Sequence, residues 1–322
     1  MLQHYDDYLL YLQTNNYSDE TVYNYERDLL IFGNYLSNNL INFDKINKKD
    51  IERFKAYLTS RDRQTLKNQS PPNSQKKLLA SSINRILSVI RSYLKYLIDM
   101  DHICPIAPEA VKMLRTTKKH PQVAELNDLI KLIESPTALE KNKKIAFRNR
   151  AMLEVLFSTG MRISELINLK INQIDESGKI FILGKGKKER FVYLTPRAFK
   201  YLNEYLKDRN NDSDYLFIPY RGLNSSQQNK RISPNYLQMK IKKYREILKI
   251  NVPTSAHSLR HGFATYLAES GASPAAIQIL LGHESLDTTT RYVHASDRYA
   301  EKSHQDFHPL KKKFLWIKGQ KI

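Results

Sequence analysis

Apolar residues recur every three or four positions through most of this chain, the period of a helix with one buried face. In the first third, Leu9, Leu10 and Leu12 open one helix. Ser18 then stands where an N-cap belongs, ahead of Val22, Tyr25, Leu29, Phe32, Tyr35 and Leu36 at helical spacing. Asp50, Ile51, Phe54, Tyr57 and Leu58 predict a third helix. A polar stretch from about Ser60 to Lys77, interrupted by Pro71-Pro72, breaks the pattern and reads as a long loop. Beyond it Ile83, Ile86, Leu87, Ile90, Tyr93, Leu94 and Leu97 outline the strongest amphipathic helix of this half, its polar face carrying Arg85, Arg91 and Lys95.

The pattern changes after this helix. Pro105, Pro108 and the run Arg115-Thr116-Thr117-Lys118-Lys119-His120-Pro121 are polar, basic and proline-punctuated, which predicts a linker over about 105–122. The expected division is therefore a helical domain over 1–104 and a second domain over 123–322. In the second, helical spacing predicts a short helix near Leu126–Ile133 and a longer one over Arg148–Ser158. Lys179–Leu183 and Arg190–Leu194 have β-like composition and are joined by Gly184-Lys185-Gly186-Lys187-Lys188-Glu189, which predicts a hairpin. Helices follow near Pro196–Lys207, Pro234–Leu248, His257–Ser270 and Pro274–Leu281. The fold class is mainly α: an N-terminal helical domain, then a mixed α/β domain with one small antiparallel sheet.

Composition narrows the class of partner. The chain has 322 residues, enough for two domains, and 41% are hydrophobic, enough for two cores. Its formal net charge is +19, which points to a polyanion, of which nucleic acid is the commonest; a basic surface kept for solubility is the bland alternative. The basic residues are spread along the whole chain, which disfavours a membrane-surface role. Arg85, Arg91 and Lys95, with Lys118 and Lys119 in the linker, are the candidate DNA-binding cations; a plain solvated linker is the alternative for the last two. The one cysteine, Cys104, excludes an internal disulfide, fits a reducing cytoplasm and reads as a packing residue. The first residues carry no basic and apolar leader pattern, and no run has the length of a membrane span.

Candidate chemistry sits in the second domain. Arg162 follows a Thr-Gly turn at a helix start, with Glu165 three residues on, on the face where it could hold the guanidinium in place. Lys185 occupies a Gly-Lys-Gly hairpin tip. His257 and Arg260 share a helix face; His261, four residues from His257, raises a metal pair, but without a glutamate between them or carboxylates nearby. His283 follows Leu281-Gly282, a helix end, and Tyr292 follows His283 by nine residues. Each has a structural alternative: a surface arginine, a turn lysine, a packed histidine, one tyrosine of 20.

Taken in order these strings resemble one family. Leu281-Gly282-His283-Glu284-Ser285-Leu286-Asp287-Thr288-Thr289-Thr290-Arg291-Tyr292 resembles the last active-site motif of the tyrosine recombinases, the integrase family that includes the Xer proteins. Thr159–Leu169 resembles the box of the first arginine, His257–Arg260 the H-x-x-R box, and Ile182–Arg190 the lysine hairpin. The helical first third is similar to the SAM-like core-binding domain of the Xer group. The resemblance implies cleavage and rejoining of duplex DNA through a 3′-phosphotyrosine, with Tyr292 as nucleophile, Arg162 and Arg260 on the scissile phosphate, His257 and His283 as hydrogen-bond donors and Lys185 as general acid. It implies no metal and no cofactor. It further implies a tetramer of recombinase protomers joined through the C-terminal tail around Phe314-Leu315-Trp316-Ile317, possible activation by a DNA translocase, and chromosome or plasmid dimer resolution during the cell cycle. A mobile-element integrase, a type IB topoisomerase and a non-catalytic DNA-binding protein on the same fold are the competing readings.

Overall fold

In a computed structural model the described residues are 2–60, 78–116, 122–184, 189–209, 213–222, 225 and 230–282. They form twelve helices and a two-stranded sheet, in two compact units that divide after Lys119. The mainly helical class expected from periodicity is what the chain adopts. No described helix is long and apolar enough to cross a membrane.

The first unit contains α1 (Tyr5–Thr14), α2 (Asp19–Asn38), α3 (Lys48–Thr59) and α4 (Ala80–Asp99). Their starts follow from short polar side chains. The Ser18 hydroxyl accepts the Thr21 amide, and Asn47 and Asp50 form a reciprocal capping box that begins α3 at Lys48, ahead of the apolar positions. α4 buries Ile83, Ile86, Leu87, Ile90, Tyr93, Leu94 and Leu97 against Tyr8, Leu29, Phe32, Phe54 and Leu58. Aromatic rings fill much of this core; Tyr8 is wholly buried, edge-on to Tyr93 at 5.4 Å, with its hydroxyl 2.8 Å from that of Ser92.

The expected linker is partly a folded element. Val111 is fully buried, and Cys104, Ile106, Met113 and Leu114 pack on the first core. Asn84 on α4 closes this segment down: its amide nitrogen donates to the Leu114 carbonyl at 2.9 Å while its oxygen accepts the Leu114 amide at 2.7 Å. The prolines mark the end of a helix, but apolar residues interleaved with them still find the core. Lys118, Lys119 and nearly all of the 60–77 loop lie outside the described residues.

The second unit is built round α7 (Lys143–Thr159), flanked by α5 (Leu126–Glu134) and α6 (Pro136–Leu139). α7 starts five residues before the expected Arg148, where Asn142 caps the Ile145 amide. The polar run Arg148-Asn149-Arg150, which resembles a solvated stretch, is buried. Its polar groups are satisfied internally: Arg148 donates to the Ile218 carbonyl at 2.9 Å and to Asn149, and lies over the ring of Tyr236, while Arg150 pairs with Glu154 at 2.7 Å. α8 (Ile163–Asn168), the antiparallel pair β1 (Lys179–Leu183) and β2 (Glu189–Tyr193), α9 (Pro196–Lys207), α10 (Pro234–Ile247), α11 (Ala256–Glu269) and α12 (Pro274–Leu281) complete the unit. Ile180 faces Val192 and Ile182 faces Arg190 in the sheet.

Two leucines test this account of the first core. Leu87 is fully buried and Leu79 is 72% exposed. Leu87→Ala should lower the unfolding free energy by about 2–5 kcal/mol, and Leu79→Ala by less than about 0.5 kcal/mol, measured by urea titration of the whole chain.

Candidate active site

The end of α7 and the start of α8 are joined by one compact turn. The Thr159 hydroxyl donates back to the Val155 carbonyl at 2.7 Å, Gly160 takes the left-handed conformation at φ 61°, and Met161 is buried. A side chain at Gly160 would be strained by that φ, and its Cβ would lie 2.3 Å from the Phe263 ring. This turn delivers Arg162 to the N-cap position of α8, as expected from the Thr-Gly string.

Glu165 holds Arg162 in two ways. Its Oε2 accepts the Arg162 amide at 2.7 Å and its Oε1 accepts Nη1 of the same residue at 3.0 Å. The same carboxylate also receives Arg190, at 3.0 Å from Nη1 and 2.7 Å from Nη2. Burial alone would raise the Glu165 carboxyl, but hydrogen bonds from Arg190 and from the Arg162 amide, with the charges of both arginines, hold it below the ordinary carboxylate value. It is therefore a fixed negative charge between two guanidinium groups.

Arg260, on α11, is 3% exposed. Its Nη1 donates to the Gly160 carbonyl at 2.8 Å and its Nη2 to the Leu281 carbonyl at 2.7 Å. The H-x-x-R string, the first-arginine turn and the end of α12 are thereby brought to one place. α12 ends at Gly282, left-handed at φ 63°, as expected for the residue before His283.

His257 is exposed on the first turn of α11, and its Nε2 lies 2.8 Å from Nε2 of His261, the rings being nearly perpendicular. At that distance one nitrogen carries the hydrogen and the other accepts it. Burial, then Arg260 and Arg162, lower the pKa of His257; burial, then His257 and Arg260, lower that of His261 to about 4. His257 is thus a neutral imidazole at neutral pH, able to take a proton. Among the described residues no group of three or more potential metal ligands gathers, at this pair or elsewhere.

Lys185, His283 and Tyr292 lie outside the described residues, although the strands flanking the lysine tip pair as expected, Leu183 with Glu189. Of the candidate DNA-binding cations, Arg85 is ion-paired to the buried Asp28, Arg91 is half-buried and Lys95 is exposed. Arg190 was missed by sequence reasoning. The available signal was its place in β2, where Arg190 and Val192 share the buried phase while Phe191 and Tyr193 face outward.

The His261 shift has a sign that can be measured. Its folded pKa of about 4 lies below the ordinary 6.5, so between these values the unfolded chain binds more protons than the folded one. This penalty is absent above about pH 6.5 and grows as pH falls toward about 4. The denaturation midpoint of the wild type should therefore drop more between pH 7.5 and pH 5 than that of His261→Gln. Parallel midpoints for the two proteins would contradict the shift.

Comparison with known proteins gives the family. Residues 122–298 match the phage integrase family model, and residues 5–100 match the N-terminal SAM-like domain of phage integrases. The chain is 31% identical over 315 residues to the tyrosine recombinase XerD of Staphylococcus aureus strain Mu50, covering 94% of this chain and 98% of that protein. It is 30% identical over 313 residues to the tyrosine recombinase XerD of Staphylococcus epidermidis strain RP62A, with the same two coverages. Among solved structures, the XerH site-specific recombinase bound to its difH substrate in a pre-cleavage complex matches with a TM-score of 0.66 and 26% identity, over 88% of this chain and 78% of that one. Two arginine boxes tied together by a buried guanidinium, a family match spanning more than half of the chain and relatives at this identity along nearly its whole length place the chain in the phage integrase family, as an Xer-type tyrosine recombinase.

Proposed function

We propose that this recombinase cuts DNA strands at a specific site with Tyr292 as nucleophile. The phenol oxygen attacks the scissile phosphorus, a Tyr–O–P bond forms, and the bond to the 5′-oxygen breaks. His257, neutral at neutral pH, takes the phenol proton, and Lys185 gives a proton to the departing 5′-oxygen. Arg162, Arg260 and His283 donate to the non-bridging oxygens, on which charge grows in the transition state. The 3′-phosphotyrosine keeps the energy of the broken ester, so a 5′-hydroxyl from another strand reseals it without a nucleotide or a cofactor.

The observation that carries this reading is the bond from Arg260 to the Gly160 carbonyl, two residues before Arg162. It ties the two arginine boxes, distant in sequence, into a single cationic site. Duplex DNA is the partner that matches both this site and the net charge of +19. Exposed Lys95 and half-buried Arg91 on α4 are suited to backbone contacts, as are Lys118 and Lys119. Arg85 acts there only by exchanging Asp28 for a phosphate. The biological task we assign is resolution of chromosome or plasmid dimers in the cytoplasm, by a tetramer whose protomers exchange their C-terminal tails and which a DNA translocase activates. The similarity to proteins named XerD supports this assignment.

Tyr292→Phe keeps the ring and removes the attacking oxygen. Its affinity for the DNA site should stay within about twofold of wild type, while no covalent adduct forms with a nicked suicide substrate. Adduct formation by the Phe variant would sink the assignment.

Lys185 is tested through the leaving group. A 5′-bridging phosphorothiolate departs as a thiolate and needs no proton. Lys185→Ala should lose roughly 10²–10⁴-fold on the normal phosphodiester and cleave the phosphorothiolate at near wild-type rate. Arg260→Ala should be slow on both, because its charge serves the phosphate. Equal slowing of Lys185→Ala on both substrates would assign the lysine to binding.

A further inference from the structure

Arg190 makes more connections within the site than any role given above requires. Its side chain is 6% exposed. Two of its nitrogens meet the two oxygens of Glu165, at 3.0 and 2.7 Å, and its Nε donates to the Leu280 carbonyl at 2.9 Å. Each Glu165 oxygen thus takes one hydrogen from Arg190 and one from Arg162. Gly282 is packed on the same side chain: a Cβ there would stand 3.0 Å from Cδ of Arg190. Arg190 also pairs with Ile182 in the sheet, five residues beyond Lys185 in the chain, and Gly282 directly precedes His283.

We propose that Arg190 is the positioning residue of this site, holding the Arg162 guanidinium through the shared Glu165 carboxylate and the start of the His283 segment through the Leu280 carbonyl. The proposal rests on the reading in which Arg162 and His283 act on the scissile phosphate. Three directed donors from one planar group are needed, two for a carboxylate and one for a carbonyl. Only a guanidinium offers them; an ammonium is a point charge with no fork. Without Arg190 the carboxylate keeps Arg162 as its remaining partner and swings toward it. The arginine then sits off the line of the non-bridging oxygens, and a displacement of this kind costs roughly 10²-fold in rate.

The test compares Arg190→Met and Arg190→Lys with Arg162→Ala in single-turnover adduct formation. Two suicide substrates are used, one with an ordinary scissile phosphate and one with a methylphosphonate in its place. In the second a methyl replaces a non-bridging oxygen, the phosphorus centre is neutral, and an arginine aimed at that oxygen has little left to stabilise. Both Arg190 variants should bind the site with near wild-type affinity and lose roughly 10²-fold on the phosphate. On the methylphosphonate the loss should shrink to within about threefold of wild type. Arg190→Lys keeps a buried cation beside Glu165, so it guards against a variant that merely fails to fold. Full activity of either variant on the phosphate overturns the proposal, and so does equal loss on both substrates while Arg162→Ala is selective. If Arg162→Ala itself cleaves the phosphate at the wild-type rate, the role given to Arg162 falls first and takes the proposal with it.

Discussion

A guanidinium removed from water must have its hydrogens taken up by fixed acceptors, and at Arg260 two of these acceptors are main-chain carbonyls at the ends of other helices. The carbonyls of Gly160 and Leu281 belong to the last turns of α7 and α12, where intrahelical partners run out and partial negative charge collects. One cation therefore answers two unsatisfied helix ends. The end of α7 fixes where the next turn begins, and so where Arg162 emerges; the end of α12 fixes where the segment toward His283 begins. The placement of these two segments is thus a by-product of satisfying a buried charge.

The carboxylate of Glu165 imposes the complementary constraint. It is nearly buried and ionised, and its four hydrogen bonds come from two arginines on different elements. A buried ion of this kind adds little stability compared with an apolar replacement, but it demands one arrangement of its partners. Positive charge is concentrated around the site without mutual repulsion scattering it, because a fixed anion lies between Arg162 and Arg190. The depressed pKa values of His257 and His261 follow first from burial, and then from Arg260, joined by Arg162 at His257 and by His257 at His261.

The helical framework was legible in the sequence wherever a buried face alternated with a wet one, as in α2 and α4, and wherever a short polar side chain marked a start, as at Ser18. It was illegible where polar residues are buried. Apolar spacing says nothing of Arg148-Asn149-Arg150, yet all three lie inside, with donors meeting a carbonyl, a carboxylate or an aromatic face within the unit. β2 shows the opposite case: its aromatic residues Phe191 and Tyr193 are the exposed ones, and its arginine is buried. In the site, Arg162 and its Glu165 partner were readable because their contact is local, three residues apart on one helix. The second partner of Glu165, Arg190, lies on another element, where the alternation of β2 marks it as buried but does not name its partner. In the linker stretch, too, prolines report a helix end but not the packing of Val111 and Leu114.

The pairing of Asn84 with Leu114 has a mechanical meaning. Both polar groups of one backbone residue are held by a single side-chain amide rooted near the start of α4, a 20-residue helix of the first core. Tension arriving along the chain from beyond residue 114 loads these two bonds together, and bonds loaded in parallel yield less readily than bonds opened one after another. Residues 105–113, whose attachment is mainly apolar, are shielded from that load. A pull on this segment is therefore delivered to α4 and not to the apolar edge of the first unit.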